Sequence, residues 1–343
     1  MVNGTEGRSA GEALAWSRTT VQPALRAAIQ TLPPVVRQVA GYHLGWWDEN
    51  GHPTAAHGGK TIRPGLVLLA AEAVGGDPAT AVPAAVAVEL VHNFSLLHDD
   101  VMDGDVTRRH RRTAWNVFGT NPAILAGDAL LTLALDVLAA SDHPAAVAGI
   151  RMLSTAVLRL IDGQSADLAF ETREHVELAE CTAMAQDKTG ALLGCACAVG
   201  ALFGGGGQQQ VEQLRGFGEQ LGLAFQHVDD LLGIWGDPVV TGKPVYSDLR
   251  NRKKSLPVVA ALTSGTAAGR ELAALYHSGR PLSDGDLIRA AELIDAAVGR
   301  GWSHTQADTL LARALDDLHR AAPAPRPAAE LTSIARLATR RSH

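Results

Sequence analysis

The chain has 343 residues, with 30 basic against 36 acidic side chains, a net charge of −6, 46% hydrophobic, 19% charged and only 4% aromatic residues. So apolar a chain buries a large core and is not disordered throughout, and its acidic balance argues against a globally basic nucleic-acid binder. Its length, with three cysteines (Cys181, Cys195 and Cys197), excludes a disulfide scaffold; they lack metal-ligand spacing and read as small buried residues of a reducing, cytoplasmic setting.

Residues 1–20 lack the basic start and apolar core of a secretory signal and read as a loosely ordered lead-in to a single domain over 21–343. Val and Ile do not alternate with polar residues, so strands are not expected. Ala and Leu recur at three- and four-residue spacing over 63–74, 84–97, 123–139, 144–170, 177–202, 209–232 and 283–318, which predicts helices. Pro144 suits the first turn of its helix. The apolar stretch 122–140 carries Asp128 and Asp136, and 190–203 is short, so no membrane span is expected. The four glycines of 204–207 make a turn, 236–252 reads as an ordered loop, and AAPAPRPA over 321–328 interrupts the last helical region. The fold class expected is all-α, a single large helical bundle around a central cavity.

The first chemistry-bearing segment is HNFSLLHDDVMDGDVTRRHRRT, residues 92–113. Asp99 and Asp103 are four apart and share a helix face, with Asp100 about 100° round and His92 two turns back. Carboxylates on an apolar helix need neutralising, and hard oxygen donors suit Mg²⁺, which binds through one or two carboxylates plus substrate phosphates. Arg108, Arg109, Arg111 and Arg112 follow, and arginine grips phosphate bidentately. The segment reads as a metal–diphosphate site. The alternatives are a solvated acidic patch beside surface arginines, or nucleic-acid binding through RRHRR; the neighbouring aspartates oppose the latter.

The second segment, FQHVDDLLGIWGDPVVTGKPVYSDLRNRKKSLP over 225–257, repeats the acid-then-base order: Gln226, Asp229 and Asp230 end an apolar helix, and Lys243, Lys253 and Lys254 follow. Two such clusters in one all-α chain point to opposing helices that share metal ions. Neither Lys60 nor Lys243 meets the nucleotide-loop pattern: Thr54 stands where the first needs Gly, and Pro244 where the second needs Ser or Thr.

These motifs, in this order from about residue 58 to 257, resemble those of the trans-isoprenyl diphosphate synthases, the polyprenyl synthetases. The resemblance is closest to short-chain bacterial geranylgeranyl diphosphate synthases. It implies that Lys60 and Arg63 of Gly59-Lys60-Thr61-Ile62-Arg63-Pro64, with His92, hold isopentenyl diphosphate. Asp99-Asp100-Val101-Met102-Asp103 matches the first aspartate-rich motif. Arg108 falls on a contact to the allylic diphosphate and Arg109 on one to isopentenyl diphosphate. Lys188 and Thr189 match a Lys-Thr pair facing the allylic diphosphate. Gln226 and Asp229 match the second motif, Lys243 the Gly-Lys after it, and Lys253 a further lysine. The implied metal ligands are Asp99, Asp100, Asp103, Asp229 and Asp230, with Mg²⁺ as cofactor at three ions per site, and the implied assembly is a homodimer. Six positions depart from the pattern: Gly233 replaces the last Asp of the second motif, His110 a Gly, Arg112 a Pro, Asn251-Arg252 a Glu-Gly, and Thr61 sits where many members have Arg.

The expected chemistry is Mg²⁺-dependent prenyl chain elongation. Arg108 and Lys188, with the metal, stabilise departing pyrophosphate; the isopentenyl alkene attacks the allylic cation; a proton leaves to the released pyrophosphate; apolar walls keep water away. Phe94 and Ser95, just before Asp99, are the expected chain-length residues, and one aromatic followed by a small residue resembles enzymes making the C20 product geranylgeranyl diphosphate, with C15 farnesyl diphosphate the alternative. A terpene cyclase needs no second diphosphate site and usually carries an Asn-Asp metal motif, absent here. A non-catalytic or cargo subunit of the same fold is favoured only by Gly233.

Overall fold

The computed structural model describes residues 7–54, 61–238 and 244–339. The protein is all-α, as its Ala- and Leu-rich spacing predicts; among the described residues the only sheet is the two-stranded hairpin Thr107–Arg108 (β1) and Arg111–Arg112 (β2). The chain forms two compact units. The first comprises Met1–Thr155, Cys195–Arg215 and Asp317–Ile334, and the second Ala156–Gly194, Gly216–Asp316 and Ala335–His343.

Residues 1–6 lie outside the described residues; among those described the first unit begins with α1 (Ala10–Gln30), so a helix occupies residues 10–20 of the loose lead-in expected over 1–20. Ser9 caps it in a reciprocal box with Glu12. Its buried face runs Ala13, Ser17, Val21, Leu25 and Ile29, an unbroken four-residue spacing. Arg8 then ties this end down by pairing with the fully buried Glu330 carboxylate at 2.7 Å and with Glu72 at 3.2 Å. The face was hard to read because Ala13 and Ser17 add little apolar signal. α2 (Pro34–His43), α3 (Ile62–Ala73), α4 (Val82–Met102), α5 (Ala114–Phe118) and α6 (Thr120–Ala139) follow. From Ala84 to Val91 every residue of α4 is buried, the mark of a core helix rather than a surface one.

By length and apolarity alone, Pro78–Met102 and Thr120–Ala139 could each cross a membrane, although the sequence led us to expect no such span. The first is 72% buried within the protein, the second only 39%.

The remaining helices are α7 (Ala146–Thr172), α8 (Leu178–Ala185), α9 (Ala191–Phe203), α10 (Gln208–Trp235), α11 (Ser247–Arg250), α12 (Leu256–Leu262), α13 (Ala267–Tyr276), α14 (Asp284–Ala296), α15 (Gly299–Arg320) and α16 (Pro325–Thr339). Pro144 precedes α7 rather than sitting in its first turn. The helix predicted over 283–318 breaks at Val298, whose φ of +62° is left-handed. The helix predicted over 177–202 is interrupted by a π-helical turn, Gln186–Gly190, between α8 and α9. The second unit has two apolar clusters, one around Ile234, Leu249, Val258 and Ile294, the other around Phe170, Met184, Leu256 and Leu310. All three cysteines are free and buried, and burial pushes the Cys195 thiol up to about 12, so they are packing residues.

Candidate active site

The predicted site residues fall into two sets, each within one unit. The first gathers on α3, α4 and the hairpin. Arg63 Nη1 lies 3.1 Å from His92 Nε2. Burial first, then Arg63, Arg109 and Arg108, hold the His92 pKa well below 6.5; the ring is therefore neutral and its Nε2 accepts from the guanidinium. Two turns of helix carry Glu89 and Asn93 beside them, with Asn93 Nδ2 donating to Glu89 Oε1 at 3.1 Å. Burial raises the Glu89 pKa, opposed by Arg63. Thr61, Pro64, Glu89, Asn93 and Arg109 line a cavity of about 290 Å³. Arg109 also borders a second cavity of about 230 Å³ with Tyr42, His43, Asp100 and Arg108. Lys60 lies outside the described residues.

The neighbouring aspartates divide. Asp100 is 1% exposed and accepts from Arg108 Nε at 2.7 Å. Burial lifts its pKa to about 6 against the pull of Arg108. It fixes Arg108 and does not stand with Asp99 and Asp103, which face outward to greater exposure. Three carboxylates at the C-terminal end of α4, with no basic residue in its last turn, run against the helix dipole. Arg108 answers one of them. Asp99 and Asp103 offer hard oxygen donors one turn apart, the donor set that fits Mg²⁺. Among the described residues no three acidic, His or Cys groups form a metal cage.

The four arginines divide as well. Arg111 donates to the Tyr42 and Trp47 carbonyls at 3.0 and 3.1 Å and lies over the Tyr42 ring. Arg112 pairs with Asn116. These two anchor the hairpin on α2 and α5 while still bordering the second cavity, and of the four only Arg109 borders both. Phe94 is buried on α4, edge-on to His98 with ring centres 4.9 Å apart. Ser95, also buried, turns its Oγ to the His92 carbonyl at 2.9 Å.

The second set is built around the π-helical turn. Gly163 on α7 admits it: a Cβ there would stand 2.9 Å from Lys188 Cα. One turn further along α7, Asp167 pairs with Lys188 Nζ at 2.6 Å. Burial works against the Asp167 carboxylate, but Lys188 and Lys253 outweigh it and hold its pKa below the ordinary value. α10 meets the same turn through glycine: a Cβ at Gly222 would stand 2.6 Å from Gly190 Cα, and one at Gly218 2.8 Å from Gly194 Cα. The next turns of that face are polar. Thr189 Oγ1 donates to Gln226 Oε1 at 2.6 Å, and Gln226 Nε2 donates to Asp230 Oδ1 at 2.7 Å. The Leu256 N–H donates to Asp230 Oδ2 at 2.9 Å. Asp230 is thus 3% exposed and bonded through both oxygens, and burial lifts its pKa to about 7. It is a bracing group between α10 and α12, a correction to its expected place among the metal ligands; Asp229 next to it is exposed. Burial opposes the charge on Lys253, yet Asp248 first, then Asp230, Asp167 and Asp229, raise its pKa. Lys243 lies outside the described residues.

Asp167, Asp248, Glu89 and Asn93 were not singled out from the sequence. Glu89 and Asp167 lie outside the two quoted segments, and only the fold brings them to Arg109 and Lys188; Asn93 and Asp248 lie inside those segments, Asp248 five residues before Lys253.

The family model described as polyprenyl synthetase matches residues 45–294. A (2E,6E)-farnesyl diphosphate synthase of Mycobacterium tuberculosis is 50% identical over 318 residues, 92% of this chain and 89% of that protein. A geranylgeranyl diphosphate synthase of the same organism is 45% identical over 326 residues, 95% of this chain and 92% of that protein. A crystal structure of a polyprenyl synthetase from Streptomyces coelicolor A3(2) superposes with a TM-score of 0.91 at 46% identity, covering 95% of this chain and 98% of that one.

Proposed function

The chain belongs to the polyprenyl synthetase family and is a prenyltransferase of chain elongation; from that premise we propose that it condenses an allylic diphosphate with isopentenyl diphosphate to make geranylgeranyl diphosphate. The observation that carries this reading is the pair of guanidiniums Arg63 and Arg109 around the neutral His92 ring, a set separate from the outward carboxylates Asp99 and Asp103. Elongation requires a second diphosphate site, and a cyclase does not.

Lys60, Arg63, His92 and Arg109 hold isopentenyl diphosphate in this reading. Arg108, fixed by Asp100, and Lys188, fixed by Asp167, receive the allylic diphosphate together with Thr189, Lys243 and Lys253. Gln226 is a bracing residue, because both ends of its amide are taken by Thr189 and Asp230. Asp99, Asp103 and Asp229 would hold Mg²⁺, three ions per site, which when bound supplies electrostatic neutralisation of the leaving diphosphate. In this reading Arg108 and Lys188 would each supply positive charge to offset the negative charge that develops on oxygen as the allylic C–O bond breaks. The isopentenyl alkene forms the new C–C bond, and the proton it loses goes to the released pyrophosphate. A cytoplasmic setting belongs to this reading, and three free buried thiols support it.

Product length rests on Phe94, a buried ring on α4 five residues before Asp99. The C15 product is the second reading, favoured by the 50% identity to a farnesyl diphosphate synthase. Mass spectrometry of the products separates them. The wild type should yield C20 from a C15 primer, and Phe94→Ala should shift the main product to C25 or longer. A wild type that stops at C15 supports the second reading; a Phe94→Ala product of unchanged length removes Phe94 as the floor.

A further inference from the structure

Gly233 stands where the second aspartate-rich motif of the resembled family ends in Asp. It lies one turn after Asp229 on α10, so the two positions share a face. A Cβ at 233 would collide with the Asp248 carboxylate, standing 2.7 Å from Oδ1 and closer still to Oδ2. The space that a side chain at 233 would fill is therefore already filled by a carboxylate, delivered from α11. That placement is built in. The Tyr246 N–H donates to the Ile234 carbonyl at 3.2 Å, and Ser247 Oγ to the Gly233 carbonyl at 3.3 Å. Leu249, fully buried in the same cluster as Ile234, pins the other side of α11.

We propose that Asp248 supplies the carboxylate that Gly233 lacks, so that Asp229 and Asp248 together form the acidic group of this half of the site and engage Mg²⁺-diphosphate. The inference rests on the prenyl-transfer reading above. It makes Gly233 a required partner of Asp248 and not a lost ligand. Gly233 is the only residue type that leaves the Asp248 carboxylate its room one turn from Asp229.

The test is calorimetric titration of the full chain with inorganic pyrophosphate and Mg²⁺, with thermal unfolding of each variant measured alongside. The wild type should bind, and Asp229→Asn and Asp248→Asn should each weaken binding by about tenfold or more, the usual loss on altering a metal's supporting groups. Moving the carboxylate back, with Gly233→Asp in the Asp248→Ala background, should restore most of what Asp248→Ala loses. A wild type that binds no Mg²⁺-pyrophosphate overturns the reading of the site itself. Binding lost in Asp229→Asn but unchanged in Asp248→Asn overturns only the role of Asp248. So does a double variant that unfolds at the wild-type temperature without recovering affinity, since Asp248 would then act only by holding Lys253. Should the double variant fail to fold, the Asp248→Asn titration decides alone.

Discussion

At the tip of the hairpin, Arg109 and His110 both take left-handed backbone, with φ of +51° and +61°. A two-residue hairpin turn demands this conformation at both central positions and normally recruits Gly or Asn. Each L-residue there costs roughly 1–2 kcal/mol. The turn forms regardless because its flanks are held: Arg108 by Asp100, Arg111 by the Tyr42 and Trp47 carbonyls. His110→Gly should therefore stabilise the protein by about 1 kcal/mol in denaturant unfolding; a loss of stability would show that the His110 side chain contributes contacts outweighing the strain. The missing glycine was legible in the sequence, whereas the strain it leaves behind was not. The same limit applies to the aspartates. Spacing puts Asp99 and Asp103 on one face, but which member of each Asp-Asp pair turns inward depends on Arg108 and on the Leu256 N–H, partners the spacing does not contain.

Among the elements, the π-helical turn and α10 position Lys188 and Thr189. Apolar periodicity over 177–202 reads as one helix because a π turn inserts its extra residue without changing the residue types around it. π turns are frequent at functional sites, and here the turn carries both residues of the Lys-Thr pair. What makes room for it is glycine at 163, 190 and 222, each mute in sequence until its neighbour is known. Gly222→Ala places a methyl group against the Gly190 backbone and should cost about 1–3 kcal/mol. It should also lower turnover by shifting Thr189 and Lys188 from α10 and Asp167. A variant with unchanged unfolding and unchanged turnover would mean that the turn yields freely to α10. Helix α1 escaped prediction for the opposite reason: its buried row is regular, but two of its five members are Ala13 and Ser17.

At the scale of the molecule, an Ala- and Leu-rich chain with 4% aromatics announces helices, and that much of the fold was legible from composition and spacing. Assembly is a different matter. α6 is strongly apolar yet only 39% buried, with Leu125 59% exposed. The homodimer that the family resemblance implies would bury this face against a second copy. Leu125→Arg should then convert a dimer to a folded monomer in analytical ultracentrifugation; a wild-type monomer, or a variant still dimeric, would place the interface elsewhere.

The central claim is metal-dependent elongation by a chain whose carboxylates and cations are divided between two diphosphates. Its most direct measurement is the stoichiometry of purified protein with Mg²⁺, an allylic diphosphate and isopentenyl diphosphate. The account requires one isopentenyl diphosphate consumed and one pyrophosphate released per five-carbon step. That turnover should be abolished by chelation and lowered at least about a hundredfold by Arg108→Gln, the scale on which a lost charge-stabilising donor acts. Pyrophosphate released from the allylic substrate alone, with a cyclic hydrocarbon and no consumption of isopentenyl diphosphate, would contradict it.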